Sequence, residues 1–221
     1  MYQRMNRKLG NFYKKLFSVF GPQHWWPAED DFEVILGAIL TQNTSWLNVE
    51  KALGTLKQSG NLSAAKLKQM PLKKLAWLIR SAGFYNLKAL RVKAFLKFFF
   101  DAYRGSLRLM RLADKRILRG ELLAVKGIGP ETADSILLYA LGKPVFVIDA
   151  YTRRILLRHR LIKPEDDYAA IQDLFTRTLK SDLRVFNEYH ALLVKLGKDY
   201  CLKNKPKCKL CPLNGQKTTL N

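Results

Sequence analysis

Along most of the chain the apolar residues recur at the three-to-four spacing of an amphipathic helix, and no long stretch alternates with the period of a half-buried strand. Leu9, Phe12, Tyr13, Leu16 and Phe20 make one stripe, which predicts an N-terminal helix packed on the body of the protein. Phe32, Ile35, Leu36, Ile39 and Leu40 make a second stripe; Leu47, Leu53 and Leu56 belong to a third, and Leu75, Leu78 and Ile79 begin a fourth. Leu87, Leu90, Ala94, Phe95 and Phe98 mark another helix, which Asn86 is placed to cap. The apolar run 145–148 is too short and isolated to build a sheet. The pattern predicts an all-α protein, with no internal repeat and no low-complexity linker to divide it.

The break in this pattern at 122–133 is the most informative. An apolar helix end runs through Val125 and Lys126 into Gly127, Ile128 and Gly129, and Pro130 then stands where a new helix would begin, its fixed φ suited to the first turn. This is a helix-hairpin-helix. Its glycines let the backbone approach a ligand closely, and the N–H groups at the second helix start favour an anion such as a phosphate. Charge points the same way: 39 Lys and Arg against 18 Asp and Glu give a net +21, a field that attracts nucleic acid or an anionic membrane surface. No apolar run approaches the ~20 residues that span a bilayer, so DNA is the expected polyanion. The segment 1–28 contains no acid and could be taken for an organellar transit peptide; its apolar stripe favours a structural helix instead. Without the continuous apolar core of a secretory signal, the protein is expected inside the cell, in the cytoplasm or nucleoid, or in a eukaryotic nucleus or organelle.

Asp149 follows Gly129 at a distance of twenty residues, in Val145-Phe-Val-Ile-Asp149. Hairpin, spacing and aspartate together resemble the endonuclease III-like DNA glycosylases. The resemblance implies two helical lobes with an active cleft between them, 30–143 forming the central lobe and 1–29 with 144–221 the second. It further implies a monomer that acts on double-stranded DNA carrying a damaged base, with Asp149 as the catalytic residue. Read alone, Asp149 before Ala-Tyr-Thr-Arg-Arg is an ordinary helix N-cap. Cleaving an N-glycosidic bond builds positive charge on the sugar and needs a directed water, and one carboxylate in a dry cleft serves both needs. The two roles are compatible.

Glu131 stands where the glycosylase/lyase members of that family have a lysine, in the pattern Gly-x-Gly-x-Lys-Thr-Ala. A carboxylate cannot form a Schiff base, so this departure implies a monofunctional enzyme that uses water; as a residue, Glu131 complements the dipole of a helix start. Lys126 reads as a phosphate contact. Trp25, Trp26 and Pro27, the run from Thr41 through Gln42 and Asn43 to Trp46, and Ser81-Ala-Gly-Phe-Tyr-Asn-Leu-Lys88 resemble the 3-methyladenine glycosylase branch. There the indoles would grip an extruded cationic base through stacking and cation–π attraction; the bland reading of Trp25 and Trp46 is core packing. Gln42 matches the family glutamine that enters the duplex, or is simply a polar residue at a helix end. Tyr85 and Lys88, after the tight turn at Gly83, are candidates for a second DNA-strand contact or for a plain helix connection. Together with Lys126, Gly127, Ile128 and Gly129 they complete the expected DNA-binding set.

Cys201, Cys208 and Cys211 close the chain among Lys203, Lys205, Lys207 and Lys209. By the same resemblance these spacings belong to a four-cysteine [4Fe–4S] loop, but the fourth position is Lys217. Three readings stand: a cluster completed by another ligand, a three-iron form, or a loop that has lost its metal. Zinc is disfavoured without a nearby histidine. The sequence thus implies a monofunctional glycosylase for alkylated purines. The rivals are a glycosylase/lyase for oxidised pyrimidines or mismatches, and a non-catalytic hairpin protein that only grips DNA backbone.

Overall fold

The computed structural model describes residues 2–215, and every regular element among them is helical, so the all-α expectation holds. The chain divides into two compact units, one running from Trp26 to Lys143 and the other made of the residues up to Trp25 with those from Pro144 on. Residues 26–29 therefore lie in the central unit, where the expected boundary at 29/30 had placed them in the other.

In the central unit α2 (Asp31–Leu40) is buried along all its length from Phe32 to Leu40, even at Glu33. Asp30 starts it by accepting the Glu33 N–H at 2.8 Å. The Glu33 carboxylate takes the Glu29 N–H at 2.8 Å and the Lys57 ammonium at 2.9 Å, which satisfies a buried charge. Around α2 follow α3 (Trp46–Gln58), α4 (Ala64–Gln69), α5 (Leu72–Leu78), α6 (Tyr85–Tyr103), α7 (Leu107–Leu112), α8 (Lys115–Ala124) and α9 (Pro130–Ser135), the last running on through a π-helical turn at Ile136–Ala140.

Two expectations for this unit are corrected. Asn86 does not cap α6; the residue before the helix is Phe84, held at φ 45°, and Asn86 lies inside the first turn. The face that α6 buries is Lys88, Ala89, Val92, Phe95, Leu96, Phe99 and Tyr103, while Leu87 and Leu90 are exposed. The helix is thus rotated by about one residue from its most apolar stripe, for a reason given by Lys88 below.

The second unit holds α1 (Tyr2–Phe20), α10 (Ala150–Arg158), α11 (Tyr168–Thr178) and α12 (Leu183–Asp199). Leu9, Phe12 and Leu16 of α1 are fully buried, and the Leu9 carbonyl accepts the hydroxyl of buried Tyr189 at 2.9 Å, so the basic N-terminal segment is a packed helix. The run 145–148 forms no strand; it is a buried connection, Phe146 stacking on Phe175 at 3.8 Å and meeting Phe186 edge-on. No helix among the described residues is long and apolar enough to cross a membrane.

Candidate functional site

The hairpin is built from α8, a turn and α9. Asp114 caps α8 by accepting the N–H groups of Arg116 and Ile117. At the far end the Ile128 N–H donates to the Val125 carbonyl at 3.0 Å and closes the turn. The Ile128 side chain is buried, so this residue anchors the hairpin from inside and offers only backbone to a ligand, whereas Lys126, Gly127 and Gly129 are exposed. Gly127 sits at φ 90°, and a Cβ there would lie 2.4 Å from Arg91 Cγ; conformation and close packing both demand glycine. Gly129 is the N-cap of α9, Pro130 its first residue and Glu131 its exposed first-turn acid. Behind the turn Arg119 clamps the fully buried Asp134 carboxylate with two hydrogen bonds of 2.6 and 3.0 Å, tying α8 to α9.

Gln42 is drawn onto this hairpin. Its amide nitrogen donates to the Gly127 carbonyl at 3.0 Å and to Thr132 Oγ1 at 2.9 Å, and its oxygen accepts from the Arg91 guanidinium. Arg91 thus covers Gly127 and holds Gln42 at once, a role that nothing in the sequence signals. Asn43, next in the chain, is exposed at φ 54°.

Lys88, a candidate for a second DNA-strand contact, is turned inward. Its side chain is fully buried, and the ammonium donates to the carbonyls of Leu40 and Ala82 at 2.8 and 2.7 Å. Both carbonyls end helical turns, where no backbone donor is left for them, so the lysine serves as an internal C-cap. Burial, helped by the nearby Arg91 charge, pulls its pKa down to about 8. Tyr85 is exposed, and Phe84 beside it is 70% exposed in a left-handed conformation that a bulky residue rarely adopts.

The expected base-pocket residues divide. Trp26 and Trp46 meet edge-to-face at 5.1 Å over Gly37, where a Cβ would come within 3.3 Å of Trp26, and Tyr139 packs against Trp26 at 5.2 Å. Trp46 Nε1 donates to Glu50 at 2.6 Å. The two indoles stand at 85° to one another, so they form a corner and not a parallel clamp. Pro27 is exposed. Trp25 belongs to the other unit, with the Lys198 ammonium 5.4 Å from its ring centroid.

Asp149 is the N-cap of α10: Oδ1 accepts the Thr152 N–H at 2.7 Å. Its other oxygen faces Nε2 of buried His190, on α12, at 3.7 Å. Burial lowers the His190 pKa, and the Asp149 charge only partly opposes this, so the imidazole is largely neutral at pH 7. Sequence gives no cue to this pairing, because the packing of α12 creates it. Asp149 is thus a helix cap whose side chain is almost wholly buried beside an imidazole.

The cysteines lie at the end of the second unit. Cys201 is buried, its Sγ accepting from Arg158 at 3.2 Å; Cys208 is exposed. Burial pushes the Cys211 thiol up, and the neighbouring Cys201 and Cys208 add to this. Arg154 and Arg158 also hold the carbonyls of Gly197, Cys201, Leu202 and Lys203, which fixes the start of the loop. Among the described residues no three His, Cys, Asp or Glu side chains are placed to hold a metal. Lys217 lies outside the described residues.

These features define a two-unit helical protein with a glycine hairpin between two helices and an aspartate at a helix start. Residues 36–181 match the family model described as HhH-GPD superfamily base excision DNA repair protein, and the chain belongs to that family as a DNA repair glycosylase. It is 49% identical over 203 residues, 91% of each chain, to a protein of Methanocaldococcus jannaschii provisionally named a DNA repair glycosylase. It is 31% identical to an endonuclease III of Sulfolobus acidocaldarius over 81% of this chain and 78% of that one. Among solved structures, the 3-methyladenine DNA glycosylase of H. pylori bound to 1,N6-ethenoadenine is 30% identical, with a TM-score of 0.76 over 88% of this chain and 97% of that one.

Proposed function

We propose that the protein is a monofunctional DNA glycosylase that excises alkylated purines, and that Asp149 carries the hydrolysis. The observation on which this rests most is Glu131: at the hairpin helix start, where an imine-forming lysine would have to stand, the side chain is an exposed carboxylate. The hairpin backbone at Gly127 and Gly129, with Lys126, holds phosphates of the damaged strand. The Asp149 carboxylate, with His190 neutral behind it, stabilises the cationic sugar as the base departs with the electron pair of the N-glycosidic bond, and it accepts a proton from the water that bonds to the anomeric carbon. The products are a free base and an abasic site. A cationic alkylated purine is already a good leaving group, so no general acid is required. The corner of Trp26, Trp46 and Tyr139 offers electron-rich rings for such a base, and similarity to a 3-methyladenine glycosylase supports the same class.

A panel of duplexes, each with one lesion, tests the reading. The expected outcome is release of 3-methyladenine or ethenoadenine, strand scission only after added alkali, and no covalent adduct on borohydride treatment. Similarity to an endonuclease III supports the rival: thymine glycol removed in place of methylated purines, with borohydride-trapped enzyme, would replace this proposal with a glycosylase/lyase.

A further inference from the structure

On the central unit, α5, the short turn Arg80–Ala82 and the start of α6 surround an open cavity of about 240 Å³ lined by Lys73, Ala76, Trp77, Arg80, Tyr85 and Asn86. The residues that α5 buries are Leu75, Ala76 and Leu78, so the core does not need Trp77, whose side chain is left 59% exposed. An indole left out of the core and ringed by cations offers an aromatic face with a polar handle to a ligand. Arg80 is stacked on that indole, its guanidinium carbon 4.2 Å from the ring centroid, and Nη1 donates to the Trp77 carbonyl at 3.1 Å, which fixes the plane of the pair. Lys73 adds a second cation and Tyr85 a second ring; Asn86 brings an amide with both donor and acceptor, and no acid lines the cavity.

Aromatic faces, a planar guanidinium, an ammonium and an amide are what a nucleobase with its phosphate requires, and hydrophobic burial in a protein core does not explain the set. We propose that this cavity is a stacking site for one unpaired nucleotide of a DNA strand, in addition to the hairpin and Asp149. None of its lining residues belongs to either. With the proposed excision it shares only the premise that the chain binds DNA. Its base would stack on the Trp77–Arg80 pair, and its phosphate would meet Lys73 and Arg80.

The test compares, with the full chain, the anisotropy of a labelled thymidine dodecamer and of a strand with the same phosphates but tetrahydrofuran residues in place of nucleosides. Wild-type protein should prefer the thymidine strand. Trp77→Ala should abolish that preference by lowering thymidine-strand affinity about tenfold, ~1.4 kcal/mol, while Trp77→Phe keeps most of it. The alanine variant should retain its circular dichroism melt, its affinity for the base-free strand and its excision of a lesion in duplex DNA. Equal binding of both strands by wild type would give the cavity to a ligand other than nucleic acid and overturn the proposal, as would an unchanged preference in Trp77→Ala. Base-dependent binding through Trp77 in a protein that excises nothing would leave this site standing and refute the proposed function instead.

Discussion

At the scale of single residues, Asp149 was legible as the cap of a helix start, and its distance from the hairpin is what makes it the carboxylate proposed for hydrolysis. His190 was not, because nothing local to either residue records that α12 brings the imidazole within 3.7 Å of the carboxylate. Gln42 and Ile128 were legible as residues of importance, and the structure adds contacts within the chain that their spacing did not signal. Gln42 holds the hairpin through two hydrogen bonds, with a third from Arg91 of α6, and Ile128 is the hairpin's buried anchor. The capping role of Asp149 makes its test a clean one. Asn caps helices about as well as Asp, so Asp149→Asn should keep the 2.7 Å bond to Thr152 and the fold while removing the charge that the sugar cation needs. Base release should fall by at least about a hundredfold, a few kcal/mol of transition-state stabilisation, with duplex affinity unchanged in a filter-binding titration. Excision by the purified variant at the wild-type rate would remove Asp149 from the mechanism.

Among the elements, the helices with uniform apolar faces, α1 and α2, were read correctly from their spacing. The face of α6 was not. Its leucines at 87 and 90 suggested one orientation, but the orphan carbonyls of Leu40 and Ala82 required a donor, and turning Lys88 inward to supply it left those leucines in water. The need of two other elements for hydrogen-bond donors is invisible in a hydropathy pattern. Lys88→Met, similar in shape but without a donor, should therefore cost roughly 1–3 kcal/mol per orphaned carbonyl in urea unfolding. The dependence on pH gives a second check. With the folded-state pKa near 8 and the ordinary value at 10.5, the unfolded chain binds more protons between these values, so wild-type stability gains from Lys88 as pH rises through that window. The Met variant lacks this gain. Its deficit should grow from pH 8 to pH 10.5, and a deficit that shrank would mean that the buried amine is not the group responsible.

For the molecule as a whole, the sequence made legible the helical class, the hairpin and the affinity for a polyanion, because periodicity, glycine chemistry and net charge are each summed over many residues. The arrangement of the cysteines was less so. Their spacing fits a cluster-bearing loop, but spacing alone does not say which side chains close around a metal, and here two arginines of α10 hold the start of the loop. The charge of +21 does carry a quantitative consequence. Each phosphate neutralised adds ~0.9 to the slope of log affinity against log salt, so grip by a hairpin and a basic surface through about five or more phosphates predicts a slope of roughly −4 or steeper for any duplex, lesion or not. Gly127→Val adds the local test. At φ 90°, and with a Cβ 2.4 Å from Arg91 Cγ, any side chain there must displace the turn or the Arg91 that holds Gln42. Affinity should then fall for damaged and undamaged duplexes alike while the ratio between them survives, since the hairpin reads backbone and not base. Loss of lesion preference alone in that variant, or a flat salt dependence in the wild type, would show that the hairpin does not hold the phosphates.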